Sequence, residues 1–224
     1  MSRTGRSRRR LPLALLLGGL GLPACQAPPV IEHQARLTEI VRVEPGIRLD
    51  LRYATPRNFT GRPLYPVARA YLLPAAAAAL GRVHRSLAAE GYGLLVYDAY
   101  RPWHITKALW DAASESDRRQ GYVADPDTGS RHNRGCAVDV GLYDLTTGRE
   151  VPMPSAFDDF SVRAHADWPG ASPATRRTRA LLRQAMAAQG YTVLANEWWH
   201  FNYRDCDRQP LLDIPLTRAG QASP

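Results

Sequence analysis

The sequence predicts an α+β fold, a small and mainly antiparallel sheet with helices packed on one face. Three observations lead there. Short apolar stretches of strand character recur from residue 37 to about residue 203. Two windows carry apolar residues at helical spacing, and a third opens on a capped proline. The elements follow in the order strand, helix, strand, helix, then strands with one more helix, which is the α+β pattern. A chain of 224 residues, 45% of them hydrophobic, is long enough for one domain with its own core and too apolar for disorder.

Residues 37–43 alternate apolar and polar, which fits an opening strand. Leu49-Asp50-Leu51-Arg52-Tyr53-Ala54-Thr55 reads as a second extended piece, and residues 58–65 as a loop rich in turn residues and aromatics. Pro74 sits at the first position of a helix with Ala76, Leu80, Val83 and Leu87 as its apolar stripe and Gly91 as its stop. Leu94-Leu95-Val96-Tyr97 is a buried strand. Pro102 opens the next helix, in which Ile105, Ala108, Leu109 and Ala112 form a core face. Residues 113–135 are polar and turn-rich, and residues 137–142 form another strand. Residues 143–172 are a long irregular stretch, a length that in compact domains goes with a task such as walling a pocket. Ser172-Pro173 caps a helix running to Gln189 before Gly190, and residues 191–194 and 198–203 are the last strands.

The chain begins like an address. Arg3, Arg6, Arg8, Arg9 and Arg10 precede an apolar run at residues 11–22, too short to span a bilayer comfortably, and then Leu22-Pro23-Ala24-Cys25. Those last four residues resemble a bacterial lipobox, in which the cysteine is lipidated and becomes the new first residue. An ordinary cleaved secretion signal is the alternative. Division of the chain follows: a lipoprotein signal peptide at 1–24, a lipidated N-terminus and tether at 25–36, and the folded domain at 37–224. Each acyl chain contributes ~0.8 kcal/mol per buried CH₂, and stable anchoring takes more than one chain, which a lipoprotein carries. Gln26 after the cysteine, in place of Asp, points to the outer membrane of a Gram-negative cell, facing the periplasm. The five arginines also account for much of the net charge of +8, so the charge gives no case for a nucleic-acid partner. With Cys25 taken by lipid, Cys136 and Cys206 remain. In an exported compartment they can pair as a disulfide, and otherwise they are two buried thiols.

Chemistry concentrates in two blocks, Ser130-Arg131-His132-Asn133-Arg134-Gly135-Cys136-Ala137-Val138-Asp139 and Glu197-Trp198-Trp199-His200-Phe201. His132, Asp139 and His200 supply two imidazoles and a carboxylate, an open three-ligand zinc set that leaves a fourth position for water. Glu197 adds a carboxylate free to move that water's proton, and the combination implies hydrolysis. Residues 132 and 139 cannot share a helix face with Gly135 between them; a loop entering a strand serves better. Glu197 and His200 share a face if helical, and on a strand they need a bulge or turn. Each residue alone is more often structural; the constellation is not.

Ser130-x-His132-x-x-Gly135-x-Ala137-x-Asp139 with Glu197-Trp198-Trp199-His200 resembles the zinc D-alanyl-D-alanine dipeptidase family, the type that includes the vancomycin-resistance dipeptidase. Its wider clan contains zinc D,D-carboxypeptidases and the hedgehog-like fold. Asp50-Leu51-Arg52-Tyr53-Ala54-Thr55, Asn58-Phe59, Tyr97-Asp98-Ala99-Tyr100-Arg101-Pro102 and Phe157-Asp158 also look like family blocks, and the resemblance covers residues 37 to about 205. It implies a hedgehog/D,D-peptidase-like zinc fold, one Zn²⁺ on His132, Asp139 and His200, and Glu197 as general base and then acid. It implies further that Arg101 stabilises the oxyanion, that Asp158 meets the substrate ammonium and that Ser130 lines the pocket. Tyr53 and Phe59 are candidate pocket walls. The alternatives are an ion pair with Asp98 for Arg101 and a solvated acidic turn with Asp159 for Asp158. Cleavage of free D-alanyl-D-alanine to two D-alanines is then the expected reaction, in cell-wall turnover or glycopeptide resistance. A zinc carboxypeptidase or endopeptidase on peptidoglycan stem peptides and a non-catalytic muropeptide-binding lipoprotein are the rivals.

Overall fold

The computed structural model describes Met1 and residues 31–221. Apart from Met1, the segment read as a signal peptide at 1–24 lies outside those residues, as do Cys25, read as the lipidation site, and the first part of the tether. The elements run β1 (Ile31–Glu32), β2 (Thr38–Glu39), α1 (Ile40–Val43), β3 (Arg48–Leu49), β4 (Tyr71–Leu72), α2 (Pro74–Ala88), β5 (Tyr92–Asp98), α3 (Trp103–Ala112), α4 (Glu115–Arg119), β6 (Ala137–Asp144), α5 (Pro173–Ala188), β7 (Tyr191–Leu194), β8 (Glu197–Tyr203) and β9 (Leu211–Leu212). The central sheet has five strands in the order β3-β5-β6-β8-β7. Only β3 and β5 pair in parallel; the other neighbours are antiparallel. The α+β class with a mainly antiparallel sheet holds.

Sequence chemistry explains the main elements. α2 begins on Pro74, whose missing N–H is one the first helical turn would leave unpaired anyway. Its buried stripe of Ala76, Leu80, Val83 and Leu87 joins Leu94 and Val96 of β5, Val138, Val140 and Leu142 of β6, and Leu182 and Met186 of α5 in one apolar cluster. α5 starts where the Ser172 hydroxyl accepts the Thr175 amide at 3.1 Å, with Pro173 next. A second cluster gathers Tyr53, Tyr65, Tyr71 and Tyr100 with Ile105 and Leu109 of α3 and with Leu212, Ile214 and Leu216 near the C-terminus. So α2 and α5 share the large core, while α3 packs into the smaller one.

Three local expectations change. Residues 37–43 form only two residues of strand before turning into α1. Ile40 and Val43 sit at i and i+3 against the large core, and Glu44 N–H closes the turn on the Ile40 carbonyl at 3.0 Å. The alternating pattern also contained a helical turn, and burial of Ile40 chose it. The extended piece at 49–55 becomes a 3₁₀ turn at Arg52–Ala54, which buries Tyr53 and offers its carbonyl to the amides of Leu64 and Tyr65 at 2.8 and 2.9 Å. The polar stretch 113–135 holds the short helix α4, capped by Ser114.

Candidate active site

His132 comes from a 3₁₀ turn at Arg131–Arg134 whose start and end are written into its residues. Ser130 caps it by accepting the His132 amide at 3.2 Å, while the Asn133 side chain accepts the Ser130 amide at 2.7 Å. Gly135 closes it at φ +67°, a conformation that favours glycine, and the chain enters β6. Asp139 lies on β6 directly opposite His200 of β8. Opposed residues of an antiparallel pair project on the same side.

Two bulges complete the row. Between Val96 and Asp98 the β5–β6 register shifts, so that Asp98 also faces Asp139. Between Val193 and Leu194 the β7–β8 register shifts, and Glu197 pairs with Leu194 while Phe201 pairs with Val193. That irregularity returns Glu197 to the side of His200, with Oε2 3.7 Å from the His200 Nδ1. The strand alternative for these two residues, with its required bulge, is the one that holds.

The donor atoms converge. His132 Nε2 is 3.0 Å from His200 Nδ1 and 3.3 Å from Asp139 Oδ1, and His200 Nδ1 is 3.1 Å from the same oxygen. Outer partners fix both tautomers. His132 Nδ1 donates to the Ala99 carbonyl at 2.7 Å, and His200 Nε2 donates to the Asn202 Oδ1 at 2.9 Å. Each imidazole therefore turns a lone pair toward a carboxylate oxygen that is itself buried without a hydrogen-bond donor. Three mutually facing acceptors repel unless a cation sits among them. A tetrahedral ion with bonds of about 2.0–2.1 Å needs ligand atoms roughly 3.3 Å apart, close to the 3.0 to 3.3 Å found here. These residues fit a metal ion.

The three donors and the remaining candidates, Glu197, Arg101, Ser130, Asp158, Tyr53 and Phe59, line one cleft of about 250 Å³ between the two apolar clusters. Arg101 is buried, and its Nε and Nη2 donate to Asp98 Oδ2 at 3.0 and 2.7 Å. The pair with Asp98 and the place in the cleft coexist. Burial alone would lower the guanidinium, but Asp98, together with Tyr53, Tyr65 and Asp139, outweighs it and holds Arg101 well above its ordinary value. Asp158 adopts φ +58° and accepts the Tyr53 hydroxyl at 3.2 Å, whereas Asp159 turns away to pair with Arg163 at 2.8 Å. The structure thus separates the acidic dipeptide into one carboxylate that lines the cleft and one paired with Arg163.

The three inward carboxylates behave differently. Burial would raise Asp139, but without a metal the His132 and His200 imidazoles, when protonated on the nitrogens that face it, hold it well below the usual carboxylate range. Burial pushes Glu197 up to about 7, with Asp139 and Asp158 adding to the rise and His200 opposing it. Burial, reinforced by Asp139, also pushes Asp158 up to about 7. A carboxyl poised near neutrality is suited to exchanging protons.

Some features escape sequence reading. Asp98 pairs with Arg101 as the sequence allows, but it is also fully buried and accepts the Tyr65 hydroxyl at 2.6 Å and the Ala99 amide at 2.8 Å. Asn202 had a signal, since a residue two beyond His200 shares its strand face. Tyr122, Phe160 and Asn196 also line the cleft, with nothing in their spacing to mark them. Cys136 and Cys206 are joined by a disulfide, with Cα atoms 5.5 Å apart, at the junction of the His132 turn and β6. Trp198 is buried packing, and Trp199 is buried but also reaches the cleft wall.

Residues 33–214 match the M15 peptidase family model, described as D-ala-D-ala dipeptidase. The D-alanyl-D-alanine dipeptidase of Escherichia coli strain K12 is 35% identical over 176 residues, 79% of this chain and 89% of the relative. That of Enterococcus faecium is 38% identical over 188 residues, 75% of this chain and 90% of the relative. That of Enterococcus faecalis strain V583 is 36% identical over 179 residues, 71% and 87% respectively.

Proposed function

This chain belongs to the D-ala-D-ala dipeptidase family of M15 peptidases, and from that premise we propose that it hydrolyses free D-alanyl-D-alanine to two D-alanines with one zinc ion per chain. The observation that carries the proposal is the convergence of His132 Nε2, Asp139 Oδ1 and His200 Nδ1 beside Glu197, with the carboxylate oxygen otherwise unpartnered. Bound there, zinc supplies the Lewis acidity that activates water at neutral pH.

The protein side chains account for the rest. Glu197 Oε2 takes the proton of the attacking water and returns it to the departing amine nitrogen as the C–N bond breaks. Its buried carboxyl, held near neutrality, suits both directions of that transfer. Arg101 keeps its charge under all conditions and is fixed by Asp98, so it meets the negative charge developing on the former carbonyl oxygen without reorganising. Asp158 takes the substrate ammonium, which stabilises the carboxylate that burial disfavours. Ser130 holds the His132 turn and shapes the floor beside it. A volume of about 250 Å³ falls below the ~300–1,000 Å³ of pockets for drug-sized ligands and suits a dipeptide.

The folded domain at 37–224 carries this activity. The enzyme resides in the cell envelope, anchored through Cys25 as a periplasm-facing outer-membrane lipoprotein, and meets dipeptide released by wall turnover. The leader of Arg3 to Cys25 supports this, as does the Cys136–Cys206 disulfide, which suits an oxidising compartment. Metal analysis of purified protein, combined with turnover of D-alanyl-D-alanine and of a stem pentapeptide, tests the activity. Stoichiometric zinc with chelator-sensitive dipeptide turnover is expected; preferential pentapeptide hydrolysis would overturn the dipeptidase reading in favour of a carboxypeptidase. Mass spectrometry of the mature N-terminus tests the anchor, and an unmodified residue other than Cys25 at the start would refute it.

A further inference from the structure

Three aromatic rings from three separate loops meet at the cleft, and neither the metal set nor the proton transfer uses them. Tyr122 comes from the stretch after α4, Phe160 from the long segment after β6, and Phe59 from the loop after β3. Tyr122 and Phe160 stack at 5.1 Å with an interplanar angle of 9°, and Phe59 leans on Phe160 at 5.3 Å. Phe160 follows Asp158 by two residues on the same segment, so the stack is tied to the carboxylate assigned to the ammonium. All three rings are partly buried and face a site whose working groups are charged. Rigid rings with few rotatable bonds make a wall at low entropic cost, and stacking keeps each in place.

We propose that the Tyr122–Phe160 stack, backed by Phe59, is the specificity wall that restricts this enzyme to a peptide ending at the ammonium held by Asp158. This rests on the dipeptidase reading above. A dipeptide stops at Asp158. A residue added before that amine needs the volume that the rings fill, and it converts the ammonium facing Asp158 into an uncharged amide. The two penalties separate experimentally, because only the first depends on Tyr122 and Phe160.

The test compares kcat/KM for D-alanyl-D-alanine and for a tripeptide extended at its amino end, in wild type, Tyr122→Ala, Phe160→Ala and Tyr122→Phe. Removal of either ring is expected to raise the tripeptide-to-dipeptide ratio by on the order of 10-fold or more, the scale at which pocket volume discriminates. Tyr122→Phe keeps the stack and is expected to keep the wild-type ratio. Should the alanine variants fail to fold, Tyr122→Leu and Phe160→Leu give the same readout with a smaller expected rise. An unmoved ratio with dipeptide turnover retained would overturn the wall, and so would wild-type hydrolysis of the tripeptide as fast as of the dipeptide. Wild type that hydrolyses neither peptide overturns the dipeptidase reading and the wall with it.

Discussion

The two faces of β6 are built for different ends. Val138, Val140 and Leu142 are fully buried in the large apolar cluster with α2 and α5. Asp139, between the first two, faces His132, His200 and the cleft. The period of two along the strand sets Asp139 apart from its neighbours Val138 and Val140. On the apolar face every contact satisfies itself. On the other face the groups are arranged against one another, three acceptors together and two carboxyls raised to about 7, and need partners from outside the chain. A site built to bind is locally unstable without its ligands, and the other face supplies the free energy that holds it.

Substitutions on the two faces should therefore have opposite signatures. The largest effect is expected on the site face, where Glu197→Gln should lower kcat on D-alanyl-D-alanine by about 10²–10⁴-fold. Metal content by elemental analysis should stay at the wild-type level; retained turnover would remove Glu197 from the proton transfer. In the apolar cluster packed on the other face, Leu80→Ala in α2 should cost about 2–5 kcal/mol in denaturant unfolding, with kcat per folded molecule unchanged. A parallel loss of kcat would mean that the faces are not separable. Asn202→Ala removes the acceptor that orients His200 and should weaken metal affinity about 10–100-fold in a chelator competition, while the apoprotein melts near wild type. Unchanged affinity would assign Asn202 to the surface rather than to the site.

The smallest effect concerns pH. In the metal-free protein, Glu197 and Asp158 are raised to about 7 from ordinary values of 4.5 and 3.8. Below the ordinary values both folded and unfolded chains hold these protons. As pH climbs toward about 7 the unfolded chain releases them first, so stability is lost with rising pH. His132, raised above 6.5, acts in the same direction, and the lowered Asp139 acts only below 3.8, outside this window. The chelated protein should melt at a higher temperature near pH 5 than near pH 7.5. A difference that survives undiminished in Glu197→Gln would show that other groups cause it.

Much of this was legible in order along the chain. The starts of α2 and α5 were read from Pro74 and from Ser172-Pro173, and the two chemical blocks from residue type alone. A loop carrying His132 into the Asp139 strand was legible too, while the capping of that turn by Ser130 and Asn133 became visible only in the structure. The switch of residues 40–43 to helix was not legible, because Ile40 and Val43 satisfy either periodicity until a core exists to choose. Asp98 read as a partner for Arg101, but its place beside Asp139 depends on a bulge that no local residue marks.

The sequence by itself determined which groups could bind a metal and move a proton, since imidazole, carboxylate and guanidinium chemistry belongs to the residue. It also determined the caps and breaks of the helices, where the signals act over three or four positions. Only the tertiary structure decided that Glu197 turns to the side of His200, that Asp158 lines the cleft while Asp159 pairs with Arg163, and that Tyr122 meets Phe160. Register shifts and loop packing are fixed by contacts between segments far apart in the chain, whose energies depend on the whole core being formed.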